Sequence, residues 1–87
     1  MSLADDLANK LAAKVIAHVE KTGDEDIIKI MSQSLGDSSQ TLQEAFITSI
    51  RVQRAAIRAD RQLKARIAEM ERDAVAPAAA QVPEGDA

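Results

Sequence analysis

The sequence predicts an all-α fold: three helices, two shorter and one long and C-terminal, forming a helical hairpin or bundle that oligomerisation completes. Apolar residues recur every three or four positions through most of the chain, the period of one helix face. Glycine and short polar clusters interrupt that period near residues 23 and 36. The long third segment then runs from residue 40 to 74 without Gly or Pro.

Helix 1 is predicted from about Leu3 to Lys21. Ser2 is placed to cap it, and Asp5 and Asp6 occupy the first turn, where the helix dipole favours anions. Leu3, Leu7, Leu11, Val15 and Val19 recur every four residues, with Ala4, Ala8 and Ala12 beside them, which predicts the buried face. Asp6, Asn9, Lys10, Ala13, Ala17 and Glu20 fall on the outer face. Gly23 in Thr22-Gly23-Asp24 is the expected left-handed cap.

Helix 2 is predicted from about Glu25 to Leu35. Thr22 and Glu25 have capping-box spacing, with Asp24 as an alternative cap. Ile27, Ile28, Ile30, Met31 and Leu35 cover one broad side. The β-branched run 27–30 also fits a strand, but the chain offers no second strand to pair with it.

Gly36-Asp37-Ser38-Ser39 is read as a turn with Gly36 just past the helix end. Thr41 and Glu44 offer a further capping box. Helix 3 follows to about Asp73 or Ala74, roughly 50 Å at 1.5 Å per residue. The expected domain is therefore 1–74, with 75–87 a disordered tail holding two prolines and one glycine.

Helix 3 carries the most specific pattern. Val52, Ala56, Ala59, Leu63, Ile67, Met70 and Ala74 are spaced 4, 3, 4, 4, 3 and 4, close to a heptad seam. Ile50 and Ile57 widen the stripe near its start. Helices 1 and 2, at about 30 and 15 Å, cover only part of a rod of that length. An uncovered Leu63–Ile67–Met70 stripe is an interface signal. The expected oligomer interface is thus Val52, Ala56, Ala59, Leu63, Ile67 and Met70, in a twofold homodimer forming an antiparallel bundle, against the alternative of a monomeric helical hairpin with a frayed end.

Arg51, Arg54, Arg58 and Arg61 form a basic stripe on the opposite face. Charge is segregated: residues 1–37 sum to −3, 38–74 to +2 and 75–87 to −2, and every arginine lies between Arg51 and Arg72. The stripe is the expected partner-binding surface, for an unidentified protein of acidic character, against the plain alternative of a solvated face.

Nucleic acid is the alternative partner, through the same stripe or a degenerate helix-turn-helix around Gly36. In that motif Ser32, Gly36 and Leu42 hold the turn, and Gln40 and Gln43 read adenine edges. Against it, Asp37 replaces the usual apolar residue after the glycine, and no Lys or Arg occurs from Ile30 to Ile50 to anchor phosphates. The stripe also lacks aromatic partners for base stacking.

The composition excludes several classes. There is no Cys, and one His, so neither a disulfide scaffold nor a Cys- or two-His metal site can form. His18 reads as a half-buried residue bonded to a neighbouring helix rather than a ligand or pH switch. Asp60, inside the apolar arc of helix 3, is either a register-fixing polar residue or a rim partner of Lys64. Asp24-Glu25-Asp26 lacks the ligand spacing of a calcium loop and reads as cap and first-turn chemistry.

No nucleophile elbow, phosphate-cradling Gly loop or carboxylate–His pairing is apparent, so no enzymatic activity, cofactor or metal is expected. No run of 18 apolar residues spans a membrane, and Asp5 and Asp6 stand where a secretory signal would have lysines, so the expected location is cytoplasmic. The functional expectation is a small homo-oligomeric interaction, adaptor or assembly protein.

Overall fold

A computed structural model describes residues 2–81, with side chains as far as Ala74. It is all-helical: α1 spans Leu3–Thr22, α2 Asp26–Ser38 and α3 Gln40–Gln81, with no strand among the described residues. The chain divides into two compact units, Met1–Ala56 and Ile57–Ala87, with the boundary inside α3.

Local signals set the ends of α1. The Ser2 hydroxyl accepts from the Asp5 amide at 3.1 Å, and Asp5 and Asp6 lie in the first turn. Gly23, at φ 79° and ψ 10°, closes the helix by donating to the Val19 carbonyl at 2.7 Å. A side chain at that φ would be strained, which is why glycine stands there.

The predicted Thr22–Glu25 capping box does not form. The Thr22 hydroxyl donates to the His18 carbonyl at 2.8 Å and accepts from the Asp24 amide at 3.1 Å. Glu25 occupies the N-cap position of α2 but makes no side-chain cap bond, because its carboxylate is engaged by Arg54.

Gly36 is not a turn residue. The helix continues through it to Ser38, and a single extended residue, Ser39 (φ −158°, ψ 108°), separates α2 from α3. Ser39 ends one helix and begins the next. Its amide donates to the Leu35 carbonyl at 2.8 Å, and its hydroxyl accepts from the Leu42 amide at 3.1 Å. The turn needs no left-handed residue, so the glycine serves another purpose. An added Cβ at Gly36 would lie 2.5 Å from Nε2 of Gln43. That amide crosses from α3 to donate to the Ser32 carbonyl at 3.0 Å.

Within the first unit, α2 and α3 form an antiparallel hairpin, tied by Gln43 to Ser32 near the turn and by Glu25 to Arg54 at the far end. The core is small: Ala8, Ala12, Val15, Ile16 and Val19 of α1 with Phe46, Ile50 and the polar Ser49 of α3. Phe46, the one aromatic residue, is fully buried.

The buried face of α1 matches the predicted one at Ala8, Ala12, Val15 and Val19 and departs from it at its N-terminal end. Leu3 and Leu7 are 73% and 48% exposed, and Ile16, outside the predicted stripe, is buried. Asn9, predicted to face outward, supplies the reason. Its Oδ1 accepts from the Ser49 hydroxyl at 2.6 Å, and its backbone carbonyl accepts from Gln53 Nε2 at 3.0 Å. This polar anchor turns the alanine flank of α1 inward and leaves the first two leucines outside.

The second unit, described by itself, is the remainder of α3. Asp60–Lys64 at 3.0 Å and Arg66–Glu69 at 3.1 Å pair along its surface. The helix continues to Gln81, beyond the predicted end at Asp73 or Ala74 and past Pro77. Alanine at 74, 76, 78, 79 and 80 is the strongest helix-forming residue and sustains it. Of the predicted tail, 75–81 are therefore helical and 82–87 lie outside the described residues.

Candidate interaction surface on the third helix

At about 100° per residue, α3 presents three distinct faces. Phe46, Ile50, Gln53 and Ile57 form one line. Phe46 and Ile50 are buried core, and Gln53 and Ile57 are half-buried. The predicted seam lies roughly 110° around the helix from that line. Val52 is 61% exposed, Leu63 58%, Ile67 47% and Met70 52%, and Ala56 and Ala59 are exposed as well. The core line and the seam are thus separate surfaces, not one widened stripe. The sequence carried this signal in the 4, 3, 4 spacing of residues 46, 50, 53 and 57, which runs out of phase with the seam.

The first unit carries an open groove between α1 and the start of α3. Ala45, Thr48, Ser49 and Val52 line it from α3, and Ala4, Asp5 and Asn9 from α1, over a volume of about 610 Å³. Its floor holds the polar triangle that joins the two helices. The buried Ser49 hydroxyl donates to Asn9 and accepts from Gln53 Nε2 at 2.9 Å, so its hydrogen-bonding capacity is met.

The arginine face is not uniform. Arg54 makes a bidentate pair with Glu25, Nη2 to Oε2 at 2.9 Å and Nη1 to Oε1 at 3.1 Å. The guanidinium beside Glu25 holds that carboxyl below its ordinary range, chiefly through the hydrogen bond, and Glu25 in turn raises Arg54. Arg54 therefore works as a clamp between the start of α2 and α3 rather than as an open member of a stripe. Arg51, Arg58 and Arg61 are exposed.

The remaining singled-out residues have local partners. His18 is exposed rather than half-buried, and its partner is a loop residue rather than a neighbouring helix. Its Nε2 pairs with Asp24 Oδ2 at 3.0 Å. This is the carboxylate–His pairing that the sequence did not reveal, because the glycine cap folds Asp24 back over the last turn of α1. The Thr22 hydroxyl beside it is turned to the backbone. Asp24 and Glu25 serve different partners, and among the described residues no three potential metal-binding side chains converge. Asp60 is 55% exposed and pairs with Lys64 within the single chain.

The helix-turn-helix geometry around Gly36 is not formed, since that residue is helical. Gln43 is engaged with Ser32, and Gln40 donates to Glu44 at 3.4 Å. Among the described residues no helix is long and apolar enough to cross a membrane. Comparison with protein-family models, curated proteins and solved structures finds no match to this chain.

Proposed function

We propose that this chain is a small homo-oligomeric assembly or adaptor protein that associates through the apolar seam of α3 and meets an acidic protein partner on its arginine face. The observation that carries the reading is the exposure of Val52, Leu63, Ile67 and Met70 on one line of a helix. Four large apolar side chains aligned at helical spacing are the pattern of an interface rather than of scattered surface residues. Helices in water draw most of their stability from packing an apolar face, and residues 57–74 hold no fully buried side chain in the single chain. A second helix on the seam supplies that packing.

Sedimentation equilibrium tests the reading. The wild-type chain is expected to associate at tens of micromolar and Ile67→Glu to remain monomeric, with the far-ultraviolet helical signal of residues 1–56 retained. A monomeric wild-type chain at that concentration overturns it.

For the second surface, Arg51 and Arg58 are the residues to reverse, because Arg54 is already paired with Glu25. Capture of an acidic protein that is lost on Arg51→Glu/Arg58→Glu supports the partner assignment. Tight, steeply salt-dependent binding of RNA or DNA that the same variant abolishes would replace it with a nucleic-acid-binding role.

A further inference from the structure

The seam has an internal symmetry that specifies how two copies meet. Its spacings, 4, 3, 4, 4, 3 and 4, read the same in both directions from Leu63. The residues at equal distance on either side are matched in size, small against large. Ala59 is matched with Ile67, and Ala56 with Met70, while Val52 is matched with the smaller Ala74 at the ends.

We propose that α3 pairs with α3 of a second copy in an antiparallel twofold arrangement with Leu63 on the axis. This rests on the homo-oligomeric reading above and adds orientation and register to it. In that arrangement Leu63 meets Leu63 of the second copy, Ala59 meets Ile67, Ala56 meets Met70 and Val52 meets Ala74. Each outer layer combines one smaller and one larger side chain, so the two axes keep a nearly constant separation. A parallel, in-register pair would instead stack Ala56 on Ala56 and Ala59 on Ala59 beside Ile67 on Ile67 and Met70 on Met70. It would leave a void at one end or splay at the other, and both forfeit packing.

Charge favours the same arrangement. Asp60 and Lys64 lie on one flank of the seam, on either side of Leu63, and pair within the chain at 3.0 Å. An antiparallel twofold places like flanks together, so Asp60 of one copy comes beside Lys64 of the other. The two ion pairs then join into one cluster across the axis. A parallel pair sets that flank against Gln62 and Arg66 instead, which places Lys64 toward an arginine.

The step of four residues twice in succession at Leu63 makes an 11-residue interval from Ala56 to Ile67. That period keeps the stripe on one side of a nearly straight helix, rather than coiling it left-handed as an unbroken heptad would. Two straight helices meeting about a central leucine fit the palindrome.

The chain has no cysteine, so introduced ones report contacts unambiguously. Every position used is exposed in the single chain, so the fold of residues 1–56 tolerates the change. Under mild oxidation of the full-length chain, Leu63→Cys alone is expected to form a covalent dimer. Ala56→Cys alone and Met70→Cys alone are expected to stay uncrosslinked, because each sits about 20 Å along the axis from its own counterpart, beyond the roughly 7 Å Cα reach of a disulfide. The double variant Ala56→Cys/Met70→Cys is expected to crosslink at both ends of the seam.

Crosslinking of Ala56→Cys alone would establish a parallel pair and overturn the inference while leaving homo-oligomerisation intact. A dimer by sedimentation in which none of these cysteines link would also overturn it, since the copies would meet elsewhere. A wild-type chain that sediments as a monomer would remove the underlying reading as well.

Discussion

Ser49 is a buried hydroxyl between two helices, and its neighbours decide what it contributes. It donates to Asn9 and accepts from Gln53, which also reaches the Asn9 backbone. Ser49→Ala removes both hydrogen bonds of the hydroxyl, but Gln53 keeps its bond to the Asn9 carbonyl, so the net loss is about 1 kcal/mol. At fixed protein concentration this is expected to lower Tm by about 4–8 °C for a domain of this size. A thermal scan showing no change would mean that apolar contacts alone set the seating of α1.

The Glu25–Arg54 clamp carries a pH signature. Glu25 is held below its ordinary range in the folded chain, first by its hydrogen bond to Arg54. A carboxyl with a depressed folded pKa stabilises the fold above its unfolded pKa, and that contribution is lost as pH falls through the folded value. Wild type is therefore expected to exceed Glu25→Gln in Tm at pH 7, with the difference shrinking as the pH is lowered toward 3. A constant offset across that range would show that the pair contributes through shape rather than charge.

At the scale of the elements, Gly36 is held in place by two opposing effects. Alanine at this position, in the last turn of α2, would favour the helix by up to about 1 kcal/mol. Its Cβ would displace the Gln43 amide, costing a bond of similar worth to Ser32. Gly36→Ala alone is expected to be nearly neutral in urea unfolding, and stabilising by about 1 kcal/mol in a Gln43→Ala background. Equal effects in both backgrounds would contradict the contact.

The same residue shows where the sequence misleads. A glycine before polar residues has the local signature of a helix end, and only the approach of Gln43 from α3 explains why it lies inside one. By contrast, Ser2 and Gly23 were legible because a cap involves residues within one turn. The face of α1 was legible at Ala8, Ala12, Val15 and Val19 but not at Leu3 and Leu7, since the leucine stripe is the stronger local pattern and Asn9 takes its meaning from Ser49 and Gln53, 40 or more positions away. On α3 the seam was visible from spacing, whereas its separation from the core line required knowing that Phe46 and Ile50 bury and Val52 does not. By spacing alone Arg54 is equivalent to its neighbours in the basic stripe, and only the fold brings Glu25 against it.

Across the molecule as a whole, some apolar side chains are buried and others are exposed. Ala8, Ala12, Val15, Ile16, Val19, Phe46 and Ile50 make a core within residues 1–56. Val52, Leu63, Ile67 and Met70 remain on the surface of α3. A core built so largely of alanine, valine and isoleucine, with one phenylalanine, is modest for a domain of this size, and the proposed association through the seam would add to it. Thermal stability is accordingly expected to rise with protein concentration in the wild type and to be independent of concentration in Ile67→Glu. The most direct measurement is sedimentation equilibrium of the full chain beside Leu63→Glu at tens of micromolar. The account predicts a dimer for the wild type and a monomer for the variant. A wild-type chain that sediments at the mass of one copy would contradict it.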